Sequence, residues 1–177
     1  MTTAAMPKGM TMAPTSTMTA EAVALRHFLD AQRTSALAIL DGLTDEQLRT
    51  AVLPSGWTPL GLIKHLGYAE RHWFQSVFCG TAADVPWPDD DEELMTSAHP
   101  AVEVFAFYRD QCERGNALLA TTPLDTKPVG RHGSDPDDEF TDLRGIVLHM
   151  IEETARHLGH LDAARELLDG RTGLGPR

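Results

Sequence analysis

Cysteine and lysine are both scarce. Two cysteines in 177 residues, Cys79 and Cys112, cannot build a disulfide framework or a cysteine-rich zinc site. They read as buried packing residues carrying free thiols, and the chain as a cytoplasmic protein. Lysine occurs only at Lys8, Lys64 and Lys127, and 26 acidic residues outnumber 15 basic ones, for a net charge of −11. That balance lacks the clustered basic surface that nucleic acid or an anionic membrane requires. No apolar run approaches the ~20 residues of a membrane span. The first 18 residues, rich in Met, Thr and Ala, lack the apolar core of a signal peptide. Alternating strand segments and internal repeats are missing too. There is no Walker loop, no Gly-x-Ser-x-Gly elbow and no His-Glu-x-x-His motif. Nor are there the two Glu-x-x-His pairs of a carboxylate-bridged di-iron bundle.

What remains is helical. Hydrophobic residues make up 42% of the chain, enough for one core in one domain. The reading is a mobile tail over 1–18, a domain over 19–170 and a short tail over 171–177. Four long segments carry helical periodicity. The first runs from about Thr19, its N-cap, to Asp41, with Gly42 at its C-terminal stop. A short turn follows, with Thr44 and Gln47 in capping-box positions. The second long helix starts at Thr58-Pro59 and reaches about Phe78. The third runs from about Pro100 to Ala120. The fourth begins near Thr141-Asp142 and ends at Asp169, with Gly170 as its cap. The fold predicted is all-α, an up-down four-helix bundle with one short extra helix. The first pair is joined by a connection short enough for antiparallel neighbours. Longer loops follow the second and third long helices, and one or both are expected to cover an end of the bundle. The run Asp89-Asp90-Asp91-Glu92-Glu93 in the first of these reads as a solvated loop.

Some polar residues do not belong on a core-facing stripe. At ~100° per residue, His149, Glu153, His157 and His160 share one face of the last helix with Ile146 and Ala164. Four ionisable groups there must be paired or bound to something. On the second long helix His65 and His72 are seven residues apart and share a face with the small residues Gly61, Ala69 and Ser76. Two inward polar stripes of one bundle can converge on a single ion. Zinc accepts imidazole and carboxylate, and a catalytic zinc site has three protein ligands and an open position. Glu153 and His157 at i, i+4 can reach one ion, with His65 completing the set from across the bundle. His157 with His160, or His149 with Glu153, is an equally legal pair by spacing. His27, His99 and His132 are isolated and read as packing or helix-end residues. Trp57, Trp73 and Trp87 read as core or loop anchors.

These phrases resemble the DinB-like superfamily of metal-binding four-helix bundles, which includes bacillithiol and mycothiol transferases and mycothiol-dependent maleylpyruvate isomerase. The likeness rests on Leu43-Thr44-Asp45-Glu46-Gln47-Leu48, on Gly56-Trp57-Thr58-Pro59 leading to His65-Leu66, and on Glu153 with His157-Leu158-Gly159-His160. It covers about Thr19 to Gly170. The resemblance implies a metal held by His65, Glu153 and His157, the His-Glu-His variant of a ligand set that is more often all histidine. His160 stands where the family frequently has Gln, which leaves open a fourth ligand, a supporting donor or a substrate contact. A homodimer is also implied.

The function expected is a metal-dependent thiol S-transferase or thiol-dependent isomerase. A divalent ion, zinc with nickel and iron as alternatives, would take the thiol of a mycothiol-type co-substrate and present it to an electrophile. His160, Arg156 and His72 are the acid–base candidates. Two rivals share the site. In a metal-dependent hydrolase, turnover would need no thiol. In a non-catalytic, stress-associated bundle the ion would be structural and held by four protein ligands.

Overall fold

The computed structural model describes residues 18–87, 98–133 and 140–172. They contain five α-helices and, among the described residues, no strand. Helix α1 spans Ala20–Leu40, α2 Asp45–Leu48, α3 Pro59–Arg71, α4 Ala101–Thr121 and α5 Leu143–Asp169. The helix starts obey local chemistry. Thr19 accepts from Ala22 N, Thr58 from Gly61 N and Asp142 from Gly145 N, each satisfying an otherwise orphaned donor. Thr44 and Gln47 close a reciprocal capping box on α2. Gly170 ends α5 at φ +77°, a conformation that suits glycine. The second long helix departs from a single α-helix, because its last stretch, His72–Phe78, is π-helical.

Contacts between helices set their directions. The Nε of Arg144, at the start of α5, donates to Glu21 Oε1 at the start of α1, at 2.6 Å. Arg165, near the end of α5, donates to the carbonyls of Ile39 and Asp41 at the end of α1. Helices α1 and α5 are therefore parallel. By the same reasoning α3 and α4 are parallel, since Tyr68 meets Phe107 and Gln75 donates to Gln111. Helix α3 is antiparallel to α5, with Trp57 against His160 and Trp73 against His149. Helix α4 packs on α1, with Asn116 donating to Asp30. The order around the bundle is thus α1, α5, α3, α4. The first two long helices are antiparallel, as expected, but they stand across the core from each other and not side by side.

That arrangement dictates the loops. Parallel neighbours α3 and α4 need a connection that returns along the bundle, ~32 Å for a 21-residue helix. The described parts of this connection, 79–87 and 98–100, lie along the bundle's side. Arg71 donates to Ala83 O, Tyr68 to Trp87 O and Arg49 to His99 O, in order back toward the start of α3. The acidic run Asp89 to Glu93 lies outside the described residues, as do residues 1–17 of the expected tail.

The core has two apolar clusters with a polar layer between them. One cluster holds Leu29, Phe74, Leu143, Ile146 and Met150, the other Ile39, Leu60, Ile63, Leu66, Val104 and Leu161. Between them Arg33 of α1 meets Glu70 of α3 in two hydrogen bonds of 2.7 and 2.6 Å. Gly115 of α4 leaves them room, since a Cβ there would lie 2.9 Å from Arg33 Nη2. Burial works against the Arg33 charge, but the Glu70 carboxylate outweighs it and holds the guanidinium pKa above its ordinary value. Both cysteines are free, as expected, but Cys79 is exposed and Cys112 only partly buried, so the expectation of buried packing residues does not hold for Cys79. No helix among the described residues is long and apolar enough to cross a membrane.

Candidate metal centre

The same polar layer holds the ligand-bearing side chains. On α5, Glu153 and His157 lie one turn apart, between Met150 and Leu158 of the core. Across from them α3, set antiparallel, places His65 at the same height. Both imidazoles address one carboxylate oxygen: Glu153 Oε1 lies 3.0 Å from His157 Nε2 and 3.3 Å from His65 Nε2. The two imidazole rings are 4.9 Å apart, edge to face. One ligand atom from each of the three residues lies within 4.8 Å of the other two. A tetrahedral ion with bonds near 2.1 Å spaces its ligand atoms by ~3.4 Å. The nitrogen and oxygen donors therefore fit a divalent cation in chemistry and in spacing. Hydrogen bonds from His157 and then His65 hold the Glu153 carboxyl well below the usual carboxylate range. His157 is buried, and its Nδ1 has no hydrogen-bond partner.

The spacing alternatives separate in the structure. His160 is exposed and packs on Trp57 at 5.0 Å, and it is not in the ligand group. Trp57 also covers His157 at 5.5 Å. His149, one turn before Glu153, lies 4.4 Å from Trp73 and 5.3 Å from Phe140, ring to ring. Arg156 is largely solvent-exposed, with Glu152 at 3.9 Å. His72 is half-buried, and its Nε2 lies 2.8 Å from His132 Nδ1. Burial, then the neighbouring His132, Arg71 and His149, push the His72 pKa down.

His132 corrects the expectation of an isolated packing residue. It pairs with His72 and lies 4.5 Å from Trp73, so three imidazoles surround one indole. No sequence signal marks this, because His132 sits in an irregular Pro- and Gly-rich stretch without periodicity. His99 does pack, stacked on Trp87 at 4.2 Å.

No curated protein matches the chain. The family model described as Mycothiol-S-transferase matches residues 24–170, the span that carries all five helices but the first turn of α1. With that match over most of its length, the chain belongs to the mycothiol S-transferase family, within the DinB-like superfamily.

Proposed function

We propose that this protein is a metal-dependent transferase that joins a low-molecular-weight thiol of the mycothiol type to an electrophile, with His65, Glu153 and His157 as metal ligands. The observation that carries the reading is the convergence of both Nε2 atoms on Glu153 Oε1 inside a bundle of this family. The ligand group has three members among the described residues, which favours an open coordination position over a closed structural site. A divalent ion held there, zinc being the first choice, would lower the pKa of a coordinated thiol and supply a thiolate at neutral pH.

The protein's own groups then have distinct tasks. Glu153 and the two imidazoles fix the position of the ion, and Trp57 shields His157 from one side. His72 is the most buried of the three acid–base candidates, whereas the His160 ring lies nearer the ligands, 6.2 Å from that of His157. The lowered pKa of His72 favours a neutral imidazole near pH 7, and its Nε2 is engaged with His132. His160 and Arg156 are exposed and fit substrate contacts better than proton transfer in a shielded site.

The test is elemental analysis of untagged protein followed by a transfer assay with and without thiol. Wild type should hold about one divalent ion per chain and turn over only with thiol present. His157→Ala should lose both metal and transfer. Wild-type metal content in that variant would remove the ligand assignment, and turnover without thiol would replace transfer with hydrolysis.

A further inference from the structure

The His157 ring lacks an anchor that its place in the bundle calls for. Its side chain is 10% exposed, against 22% for both His65 and Glu153, and its Nε2 lies 3.0 Å from Glu153 Oε1. Its Nδ1 is shut off from solvent and has no hydrogen-bond partner among the described residues. A metal-binding histidine ordinarily donates its second ring N–H to a carboxylate, a carbonyl or a water, and that bond fixes the ring plane. Without it, the torsion about the Cβ–Cγ bond, a broad one for histidine, is set by whatever packs on the ring.

The nearest rings are those of His65, at 4.9 Å, and Trp57, at 5.5 Å with the planes tilted by 46°. His65 is itself a candidate ligand, with its Nε2 3.3 Å from the same carboxylate oxygen, and needs orienting as much as His157 does. Trp57 has support from outside the centre. It packs against the apolar cluster that holds Leu60, Ile63 and Leu161, and its indole also meets His160, one turn farther along α5, at 5.0 Å. The chain on either side of Trp57 is fixed as well. Gly56 stands at φ +77°, and a Cβ on it would meet nothing within 4 Å, so glycine serves the backbone direction there and not the space. On the other side Thr58 accepts from Gly61 N, and Pro59 opens α3.

We infer that Trp57 is a positioning residue: its indole sets the orientation of the His157 imidazole, in place of a hydrogen bond to Nδ1. The orientation itself is independent of the transferase reading, whereas its consequence, a ring held ready for an ion, rests on the ligand set of that reading. Loss of the indole frees the ring to turn its Nε2 away from Glu153, and a ligand that must be ordered on binding holds metal more weakly.

The test compares Trp57→Leu, Trp57→Phe and, as a control, Leu37→Ala, another partly buried residue packed on the same cluster. Zinc affinity is read by competition with a chromophoric chelator, and the His157 ring by NMR of protein stripped of metal. Trp57→Leu should weaken zinc binding at least about tenfold, the scale on which the outer partners of a ligand act. Trp57→Phe keeps an aromatic plate and should stay within about threefold of wild type, and Leu37→Ala within about twofold despite a lower melting temperature. In wild type the His157 ring protons should show nuclear Overhauser contacts to the Trp57 indole and one set of narrow signals, which Trp57→Leu should broaden or double. Where His157→Ala loses zinc, unchanged affinity in Trp57→Leu overturns the inference. So does an equal loss in Leu37→Ala, since the effect would then be general destabilisation. So does a sharp, strongly downfield Nδ1 proton in wild type, the mark of a hydrogen bond that already holds the ring. Wild-type zinc content in His157→Ala removes the ligand set alone, and the ring signals then decide the role of Trp57.

Discussion

Replacing Glu70 with alanine tests the polar layer on which the metal centre is built. The Glu70 side chain is 1% exposed and that of Arg33 5%. Removing the carboxylate strands a guanidinium that Phe74 and Gly115 enclose. Breaking a buried pair from one side costs about 3–5 kcal/mol, since the remaining charge is neither paired nor hydrated. Arg33 keeps Asp30 at 2.9 Å and Asn116 at 2.8 Å, which places the expectation near the lower end. For a chain of this length each kcal/mol moves the melting temperature by roughly 2–4 °C, so the fall should be about 6–12 °C. Circular dichroism melts of both single variants and of Arg33→Met/Glu70→Leu complete a double-mutant cycle. The apolar double variant should recover most of the loss and keep its metal, because two well-packed apolar groups need no solvation. A fall below about 2 °C in Glu70→Ala would match an exposed ion pair and refute the buried bridge.

Other outcomes follow from the same geometry. Glu153→Gln keeps the shape but loses the charge that both imidazoles address, and its metal affinity should fall by more than the 10–100-fold typical of an outer-shell partner, read by competition with a chromophoric chelator. The pKa values of His72 and His149 are pushed down, in both cases mainly by burial, so the unfolded chain takes up more protons than the folded one just below pH 6.5. Stability should therefore be complete above that pH and decline as pH falls toward the folded values, and a His72→Gln/His149→Gln variant should flatten the decline in melts of metal-free protein between pH 7.5 and 5. Gly130→Ala should cost about 1–3 kcal/mol, because the obstructing atoms are the fixed carbonyls of Ser76 and Val77.

Local chemistry determined the elements of this fold. Thr19, Thr58 and Asp142 cap helices by side-chain bonds to donors three residues on, an interaction that does not depend on the rest of the chain. The i, i+4 placement of Glu153 and His157 is equally local, so the spacing of two of the three candidate ligands was legible in one helix. The choice of that pair and its meeting with His65 were not. Spacing allowed His157 with His160, or His149 with Glu153, as readily as Glu153 with His157, and the antiparallel setting of α3 against α5 brings His65 to the last pair and leaves His149 beside Trp73 and His160 beside Trp57. Helix order around the bundle was hidden for the same reason: amphipathic stripes specify that helices pack, and contacts such as Arg144–Glu21 decide which run parallel. The His72–His132 pair joins residues 60 positions apart through an irregular connection, where no period constrains a side chain's direction and only tertiary hydrogen bonds fix it.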